Sequence, residues 1–414
     1  MKDVELARDR AVGRASQSWK VVLVLLWITS MVEGLGFSQV SAFLPIYLQS
    51  MGLPESSVPQ WVGVLNSLIF VLGLPLVPFW GVWADKYSRK AIIIRSCLVE
   101  AVVFGTIALS REPWQLAIGM MCAGFQLGNT GVMLAALRDI VPLRRLGTAI
   151  AVFGASTPVG FAAGPALGGL MIDGLHTSVS VVYAVSALLS VLMALMLALG
   201  LREVRPEVRP SGRLLYLAFG AVRGVFADPL TRNLFALFGL AFLARQMANP
   251  FLPLLVQRLN GGSDGLAIAV ALVVGTAALV GGLISPVAGA IGDRVGFRPV
   301  LIFSLAGAGL ALIFMPLSPS VPGLAWINVV FSALAAAVGA MITGLLAMEL
   351  PPERRSATLN LIYLPLYLAG IVGPTMGALA ATAGLSTVFV LAGCMLGLGA
   401  VSAGIGRYAS TASR

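Results

Sequence analysis

The chain has 414 residues, of which 58% are hydrophobic and 11% charged, and its mean hydropathy is +0.95. Soluble domains carry about 25% charged residues, so this composition excludes a water-soluble globular protein. The formal net charge of +10 would suit a nucleic-acid-binding surface, and the positions of the basic residues decide whether that interpretation holds.

Long apolar runs predict twelve membrane-spanning helices. A transmembrane helix needs about 20 mostly apolar residues, and lipid admits only helices or closed barrels because the backbone must satisfy its own hydrogen bonds. Runs of this length without strict alternation favour helices. Spans 1 to 12 are predicted at residues 19–48, 60–83, 90–109, 114–138, 146–171, 178–200, 232–257, 266–291, 299–317, 322–349, 356–381 and 385–406.

The basic residues lie on one side of this arrangement. Apart from Arg111, Arg245 and Arg258, every Lys and Arg falls at the termini or in the loops that share their side, at residues 84–95, 138–145, 201–232, 293–298 and 351–355. Positive residues mark the cytoplasmic side, so both termini are expected in the cytoplasm. The basic surplus then reflects topology, and no nucleic acid partner is expected.

Span 1 carries a carboxyl group, Glu33, near its middle. A charged side chain at this depth costs about 2.5–3.5 kcal/mol on insertion scales and therefore calls for a reason. A carboxylic acid in such a site can load and release protons near neutral pH, so Glu33 is the candidate for proton coupling. The alternative is a structural Glu paired with a neighbouring helix.

Spans 3 and 4 carry further polar side chains. Glu100 of span 3 is expected to be structural, with Arg95 either neutralising it or reaching the membrane interface. Gln126 and Asn129 of span 4 are candidates to line a substrate cavity, and each is equally suited to a hydrogen bond between helices.

Span 5 contains the run "GFAAGPALGG", in which glycines recur every fourth residue. Residues at this spacing share one helix face, and a face without side chains lets a neighbouring backbone approach closely. The proline removes a backbone hydrogen bond and predicts a kink. The residues that define this run are Gly160, Gly164, Pro165, Gly168 and Gly169.

The chain repeats itself at half its length. The segments "FLPIYLQ" and "FLPLLVQ" and the charged loops "GVWADKYSRK" and "GAIGDRVGFR" are each 208 residues apart. Two further markers, Pro165 with Pro374 and Arg144-Arg145 with Arg354-Arg355, keep nearly the same offset. The repeat predicts an N-terminal six-helix bundle at residues 1–200, a linker at 201–231 and a C-terminal six-helix bundle at 232–414.

The two charged loops resemble the loop signature of the major facilitator superfamily, G-x-x-x-D-[RK]-x-G-[RK]-[RK], and the chain is most similar to the twelve-helix drug:proton antiporter branch. Ser88 stands where that signature has glycine. The resemblance implies an all-α membrane protein of two pseudo-symmetric six-helix bundles, a monomer that works by alternating access. It also implies that the loops gate the cytoplasmic mouth through Gly81, Asp85, Arg89, Lys90, Gly289, Asp293, Arg294 and Arg298. The alternative is that the charges only set the orientation of the chain in the membrane and have no role in gating.

The resemblance extends to span 5, whose glycine run resembles the G-x-x-x-G-P-x-x-G-G signature of exporting members. One departure concerns span 4, where many proton-coupled relatives carry an Arg and this chain has Met120.

Span 7 carries Arg245, which the 208-residue offset aligns with Phe37, one turn past Glu33. Two interpretations stay open. Arg245 and Glu33 form a pair that breaks when Glu33 is protonated, or Arg245 binds an anionic substrate group. Asn249, one turn later, Phe37 itself and Thr343 of span 10 are further candidates to line the cavity that the resemblance implies between spans 1, 4, 7 and 10.

These features predict a secondary transporter that exports small amphipathic compounds or drugs in exchange for protons, in the inner membrane of a cell. The alternative is an exporter or facilitator of one endogenous metabolite or lipid without proton coupling. No P-loop, no nucleophile–base set and only one histidine, His176, occur. An enzyme, a cofactor and a metal site are therefore not expected.

Overall fold

A computed structural model describes residues 17–203, 229–349 and 363–405, and in these ranges the regular structure is entirely helical. Twelve helical segments are long and apolar enough to cross a membrane, which confirms the predicted number. Most of the predicted linker and Arg354-Arg355 lie outside the described residues. In chain order the helices of spans 1 to 12 are Trp19–Ser50, Val58–Lys86, Arg89–Leu109, Pro113–Cys122 with Asn129–Ile140, Leu143–Gly154 with Ser156–Gly169, Val179–Gly200, Pro229–Ala248 with Leu252–Asn260, Leu266–Val295, Phe297–Phe314, Val321–Glu349, Tyr363–Ala381 and Leu385–Ile405.

Spans 4, 5 and 7 are each built from two helices in sequence. In span 4 the second helix follows Gly128, whose φ of 91° lies in the left-handed region that glycine enters without steric cost. In span 7 a short 3₁₀ turn, Asn249–Phe251, contains Pro250, which lacks a backbone donor and interrupts the helix. These breaks place Asn129 and Asn249 at helix junctions deep in the bundle.

The two halves of the molecule pack mainly through two pairs of helices. Span 2 packs on span 11, where the Ser67 hydroxyl donates to the Ile371 carbonyl at 2.8 Å. Span 8 packs on the Ser156–Gly169 helix of span 5, and a Cβ on Gly169 would lie 2.9 Å from the Ala267 carbonyl oxygen. These contacts run from the middle of the spans to the end that lies away from the basic loops.

We call the end that carries loops 84–95, 138–145 and 293–298 the basic end. A Cβ added to Gly147 or Gly154 of span 5, or to Gly289 of span 8, would have no neighbour within 4 Å among the described residues. The contacts recorded between the halves therefore lie in the middle of the spans and at the opposite end.

Two polar contacts close the opposite end, and we call them the outer latch. Gln49 and Gln257 exchange two amide hydrogen bonds, each 3.0 Å long. Asp173 of the N-terminal half accepts a 2.8 Å hydrogen bond from the backbone N–H of Ile268, in the first turn of span 8. A carboxylate at a helix N-terminus is favoured by the unpaired N–H groups and the helix dipole.

Candidate functional site

Glu33 lies inside the N-terminal half rather than facing the C-terminal half. Its side chain is 8% exposed, and one carboxyl oxygen accepts a hydrogen bond from the Asn129 amide of span 4. Asn129 and Gln126 are themselves buried. The break in span 4 after Gly128 brings Asn129 to Glu33, so two of the predicted site residues meet across spans 1 and 4.

Arg95 and Glu100 belong to the same buried region. Arg95 acts electrostatically on Glu33, its guanidinium stacks 4.0 Å from the Trp80 ring centre, and its Nη2 donates to Ser96 at 2.9 Å. Glu100 is only 1% exposed and faces span 1 next to Gly36, whose added Cβ would lie 3.1 Å from the Glu100 Oε1. Span 3 therefore turns its charges into the bundle instead of standing at the periphery. We call Glu33, Arg95, Glu100, Gln126 and Asn129 the buried polar cluster.

The sequence predicts a structural role for Glu100 and no part in the site for Arg95. The available signal was the presence of two charged residues in one apolar span, five positions apart. Such charges are expensive in a membrane unless they face a polar interior. The cationic neighbour of Glu33 thus comes from span 3, while Met120 of span 4 is packed in the apolar core.

Arg245 is exposed although it lies in the middle of span 7. It forms no hydrogen bond and no ion pair with any part of the chain that the structure describes. Both ion pairs in that part involve Arg89. The predicted Glu33–Arg245 pair is therefore not formed in this conformation. Arg245 borders a cavity of about 130 Å³ within the C-terminal half, lined also by Phe238, Phe242 and Phe331.

Three other predicted cavity residues take different positions. Thr343 is exposed on span 10, one turn beyond Gly339, which lines the Arg245 cavity, and its hydroxyl donates to the Gly339 carbonyl at 2.8 Å. Asn249 is half-buried in the 3₁₀ turn of span 7, and Phe37 is half-buried against the apolar core. None of the three is among the residues that line the Arg245 cavity.

The first charged loop is bound within its own half. Arg89 is 4% exposed, and its Nε and Nη2 donate to Asp85 at 2.9 and 2.8 Å. Its Nη1 donates to Asp139 and to the Ala135 carbonyl of span 4, and Lys90 donates to the Ala198 carbonyl of span 6. In this conformation the loop ties spans 2, 3, 4 and 6 together.

The second charged loop is bound less tightly. Arg298 donates to the carbonyls of Ala403 and Gly404 at the end of span 12. Asp293 and Arg294 are exposed and have no hydrogen bond or ion pair with the described residues. Gly81 and Gly289 both face open space. The two loops therefore differ in their contacts despite their matching sequences.

The glycines of span 5 face span 1 at very short distances. A Cβ on Gly160 would lie 2.1 Å from the Met31 carbonyl oxygen, and one on Gly164 would lie 2.3 Å from the Leu35 carbonyl oxygen. Gly168 meets the Phe43 ring, whereas Gly169 faces span 8 of the other half. Pro165 lies inside the same helix. The run thus packs span 5 against span 1 on one face and carries a contact between the halves on another.

Comparison with known proteins covers nearly the whole chain. The family model described as Major Facilitator Superfamily matches residues 26–269 and 234–410. The multidrug resistance protein MdtG of Proteus mirabilis strain HI4320 is 27% identical over 379 residues, which cover 90% of this chain and 92% of that protein. The protein of the same name from Salmonella typhi is 28% identical over 386 residues, 92% of this chain and 94% of its own.

A solved structure shares the fold. It is a bacterial homolog of the human lysosomal transporter Spinster in an inward-facing and occupied conformation. Its TM-score to this chain is 0.78 at 17% sequence identity, and the match covers 94% of this chain and 97% of that one.

Proposed function

This chain belongs to the major facilitator superfamily, and we infer from that premise that it is a proton-coupled exporter of small amphipathic compounds. It is a multi-pass membrane protein and a secondary transporter. The observation that carries the inferred substrate class is the match to multidrug resistance proteins over 90% and 92% of the chain. The proposal also includes the two predicted six-helix bundles, termini on the cytoplasmic side and a location in the inner membrane.

The arrangement of the halves supports alternating access. One end is held by the outer latch, and we infer that the basic end is open because the contacts recorded between the halves lie away from it. If the basic end is cytoplasmic, as the distribution of Lys and Arg predicts, this is a state that loads substrate from the cytoplasm. Export then requires the outer latch to break while the basic end closes, with the charged loops meeting groups of the opposite half. Span 5 provides the hinge surface, because its glycines touch span 1 and span 8.

The experiment that tests the proposal follows protons in inverted membrane vesicles that contain this chain. The vesicles are energised, cationic, neutral and anionic amphiphiles are added, and a pH-sensitive dye reports proton movement. We expect at least one compound to release protons. In Glu33→Gln vesicles this release should fall by at least about tenfold, because the amide cannot bind a proton near neutral pH.

Glu55→Gln is the matched control, since Glu55 is an exposed loop carboxylate and its loss should leave proton release unchanged. Proton release that persists in Glu33→Gln would retain antiport but remove Glu33 as the carrier. Substrate equilibration without any proton movement would replace antiport by facilitated transport.

A second candidate function is favoured by Arg245: export or facilitation of one specific metabolite or lipid that carries an anionic group, without protons. A guanidinium that is exposed in a span and has no partner among the described residues is costly, and it becomes favourable when a carboxylate or phosphate binds to it. The adjoining cavity of about 130 Å³ is below the roughly 300 Å³ of a typical ligand pocket. It therefore suits one apolar or aromatic group of a larger substrate.

We expect Arg245→Gln to weaken transport of anionic amphiphiles selectively. Losing a hydrogen bond to a charged group costs about 1.5–3 kcal/mol, which corresponds to roughly a 10- to 100-fold loss of affinity. Uptake by inverted vesicles of two labelled compounds that differ only in a carboxylate and its methyl ester would measure the effect. Arg258→Gln, at an exposed position near the opposite end, is the control. Equal losses for acid and ester would contradict a role in anion binding.

A further inference from the structure

The buried polar cluster contains a second carboxyl group for which the proposed mechanism has no use. Glu100 is 1% exposed, and neither of its carboxyl oxygens has a hydrogen bond of 3.5 Å or less with the described residues, although the polar side chains of Ser190 and Gln126 lie nearby. An ionised carboxylate only accepts hydrogen bonds, and burying it without donors or a counter-charge carries a large desolvation penalty. The surroundings of Glu100 therefore suit a neutral carboxylic acid.

Glu100 lies close to Glu33, because its Oε1 would be 3.1 Å from a Cβ on Gly36, which is three residues after Glu33 on span 1, and the charge on one carboxyl acts on the other. Two like charges in a region of low dielectric cannot both be present without a large penalty. Arg95 supplies one positive charge next to Glu33. With two carboxyl groups and one guanidinium, the cluster is electrically neutral when it holds one carboxyl proton.

The surrounding residues add no further charge that would change this count. Cys97 of span 3 is the other titratable group nearby. Span 6, which packs on span 3, contributes the hydroxyl of Ser190 and has no charged residue in Val179–Gly200. The charged residues of span 4, Arg138 and Asp139, lie in its last turn at the basic end.

The cluster contains both hydrogen-bond donors and a hydrogen-bond acceptor that lack partners among the described residues. Nε and Nη1 of Arg95 have no acceptor, and Oδ1 of Asn129 has no donor, in the part of the chain that the structure describes. Buried polar groups are normally paired, so unpaired donors and acceptors in one cluster indicate a site that changes its bonding. A protonated carboxyl group has an O–H that can donate a hydrogen bond, and the Asn129 Oδ1 lacks such a donor.

We propose that Glu33 and Glu100 form a two-carboxyl proton site that holds one exchangeable proton, with Arg95 balancing the remaining negative charge. This inference rests on the proposed proton-coupled function and adds Glu100 to it. When the proton leaves, the cluster carries an uncompensated negative charge. This charge favours the conformation in which a proton can reach the cluster again. The proton site lies within the N-terminal half, apart from Arg245 in the C-terminal half.

The test compares Glu33→Gln, Glu100→Gln and the control Glu55→Gln by transport. Either cluster variant leaves one carboxylate whose charge Arg95 balances, so neither should exchange a proton. Substrate-driven proton movement should fall by at least about tenfold in both. Counterflow of labelled substrate, which needs no net proton movement, should stay within about threefold of the unmodified chain and reports that the variants are folded.

Infrared spectroscopy of the purified protein in lipid nanodiscs provides a readout independent of transport. The band of protonated carboxylic acid should change with pH in the unmodified chain, and this change should be lost in Glu33→Gln and in Glu100→Gln. In Glu100→Gln the further substitution Arg95→Gln should bring a protonated band back, because the remaining carboxyl then lacks its counter-charge.

Proton movement and a pH-dependent band that both persist in Glu100→Gln would overturn the shared site. Another result would distinguish the shared proton site from the proposed antiport. If the unmodified chain moves substrate without protons, yet either substitution removes the pH-dependent band, antiport is wrong and the shared proton site stands.

Discussion

Cross-linking position 49 to position 257 should hold the molecule closed at the end opposite the basic loops and stop transport. Gln49→Cys and Gln257→Cys, combined with replacement of Cys97, Cys122 and Cys394 by Ala, place the only two thiols of the chain at the outer latch. The amide groups of the two glutamines are 3.0 Å apart, so a short thiol-reactive bridging reagent can span the cysteines. Transport should fall by at least about tenfold.

The size of this effect follows from how the halves move. In transporters built from two repeats, alternating access is largely a rigid-body rocking of one repeat against the other. A covalent link at the closed end forbids the opposite state altogether, whereas removing the two hydrogen bonds would change its population by only about 1 kcal/mol for each bond.

The control is each single cysteine treated with the same reagent, which should transport normally. When the bridging reagent is one that a reductant can cleave, adding the reductant should restore the transport rate of the cross-linked double variant. Full activity in a protein shown by its mass to be cross-linked would mean that this end need not open, and the assignment of the outer latch would be wrong.

Gly164→Leu should prevent span 5 from packing on span 1 and destabilise the whole N-terminal half. A Cβ at this position would lie 2.3 Å from the Leu35 carbonyl oxygen and 2.1 Å from the Ser38 hydroxyl oxygen. Overpacking a core usually costs about 1–3 kcal/mol. Here the obstacle includes the backbone of another helix, which cannot move aside as a flexible side chain can, so we expect the upper end of that range or more.

The measurement is the yield of monodisperse protein in detergent and its midpoint of thermal unfolding, against Gly147→Leu as the matched control. Gly147 belongs to the same span, but a Cβ there would have no neighbour within 4 Å among the described residues. Similar unfolding midpoints for both variants would contradict the close packing of spans 1 and 5.

The architecture could be predicted from the sequence because the solvent dictates it. Twelve apolar runs leave few alternatives in lipid, and the observed helices begin and end within a few residues of the predicted spans, except at span 11, whose predicted start lies outside the described residues. The Asp85–Arg89 pair joins the last turn of span 2 to the first residue of span 3 across the turn between them, and it was not predicted. The outer latch was present in the repeat, as the last residue of "FLPIYLQ" and of "FLPLLVQ".

The partners of the charged residues could not be predicted because they depend on how each span is rotated about its axis. Hydropathy gives the depth of Glu33, Glu100 and Arg245 but not the face that each one occupies. In an amphipathic helix the polar face indicates the rotation, and an almost wholly apolar span offers little such signal. The structure therefore brings Glu33 to Asn129 and the buried polar cluster, whereas Arg245 has no hydrogen bond or ion pair with the described residues.

The reciprocal contact between Gln49 and Gln257 has a consequence for the symmetry of the molecule. The two residues occupy the same place in the two repeats, and a residue meets its own counterpart only on a twofold axis. In a dimer of identical subunits such a contact is called isologous. Here the same axis runs through one polypeptide, which is free to change each side independently. The Gln49–Gln257 contact keeps the twofold symmetry, whereas the Asp173–Ile268 contact, the carboxyl pair of one half and the arginine of the other do not. The repeat has thus kept its symmetry at one contact between the halves and lost it where we propose that they bind different ligands.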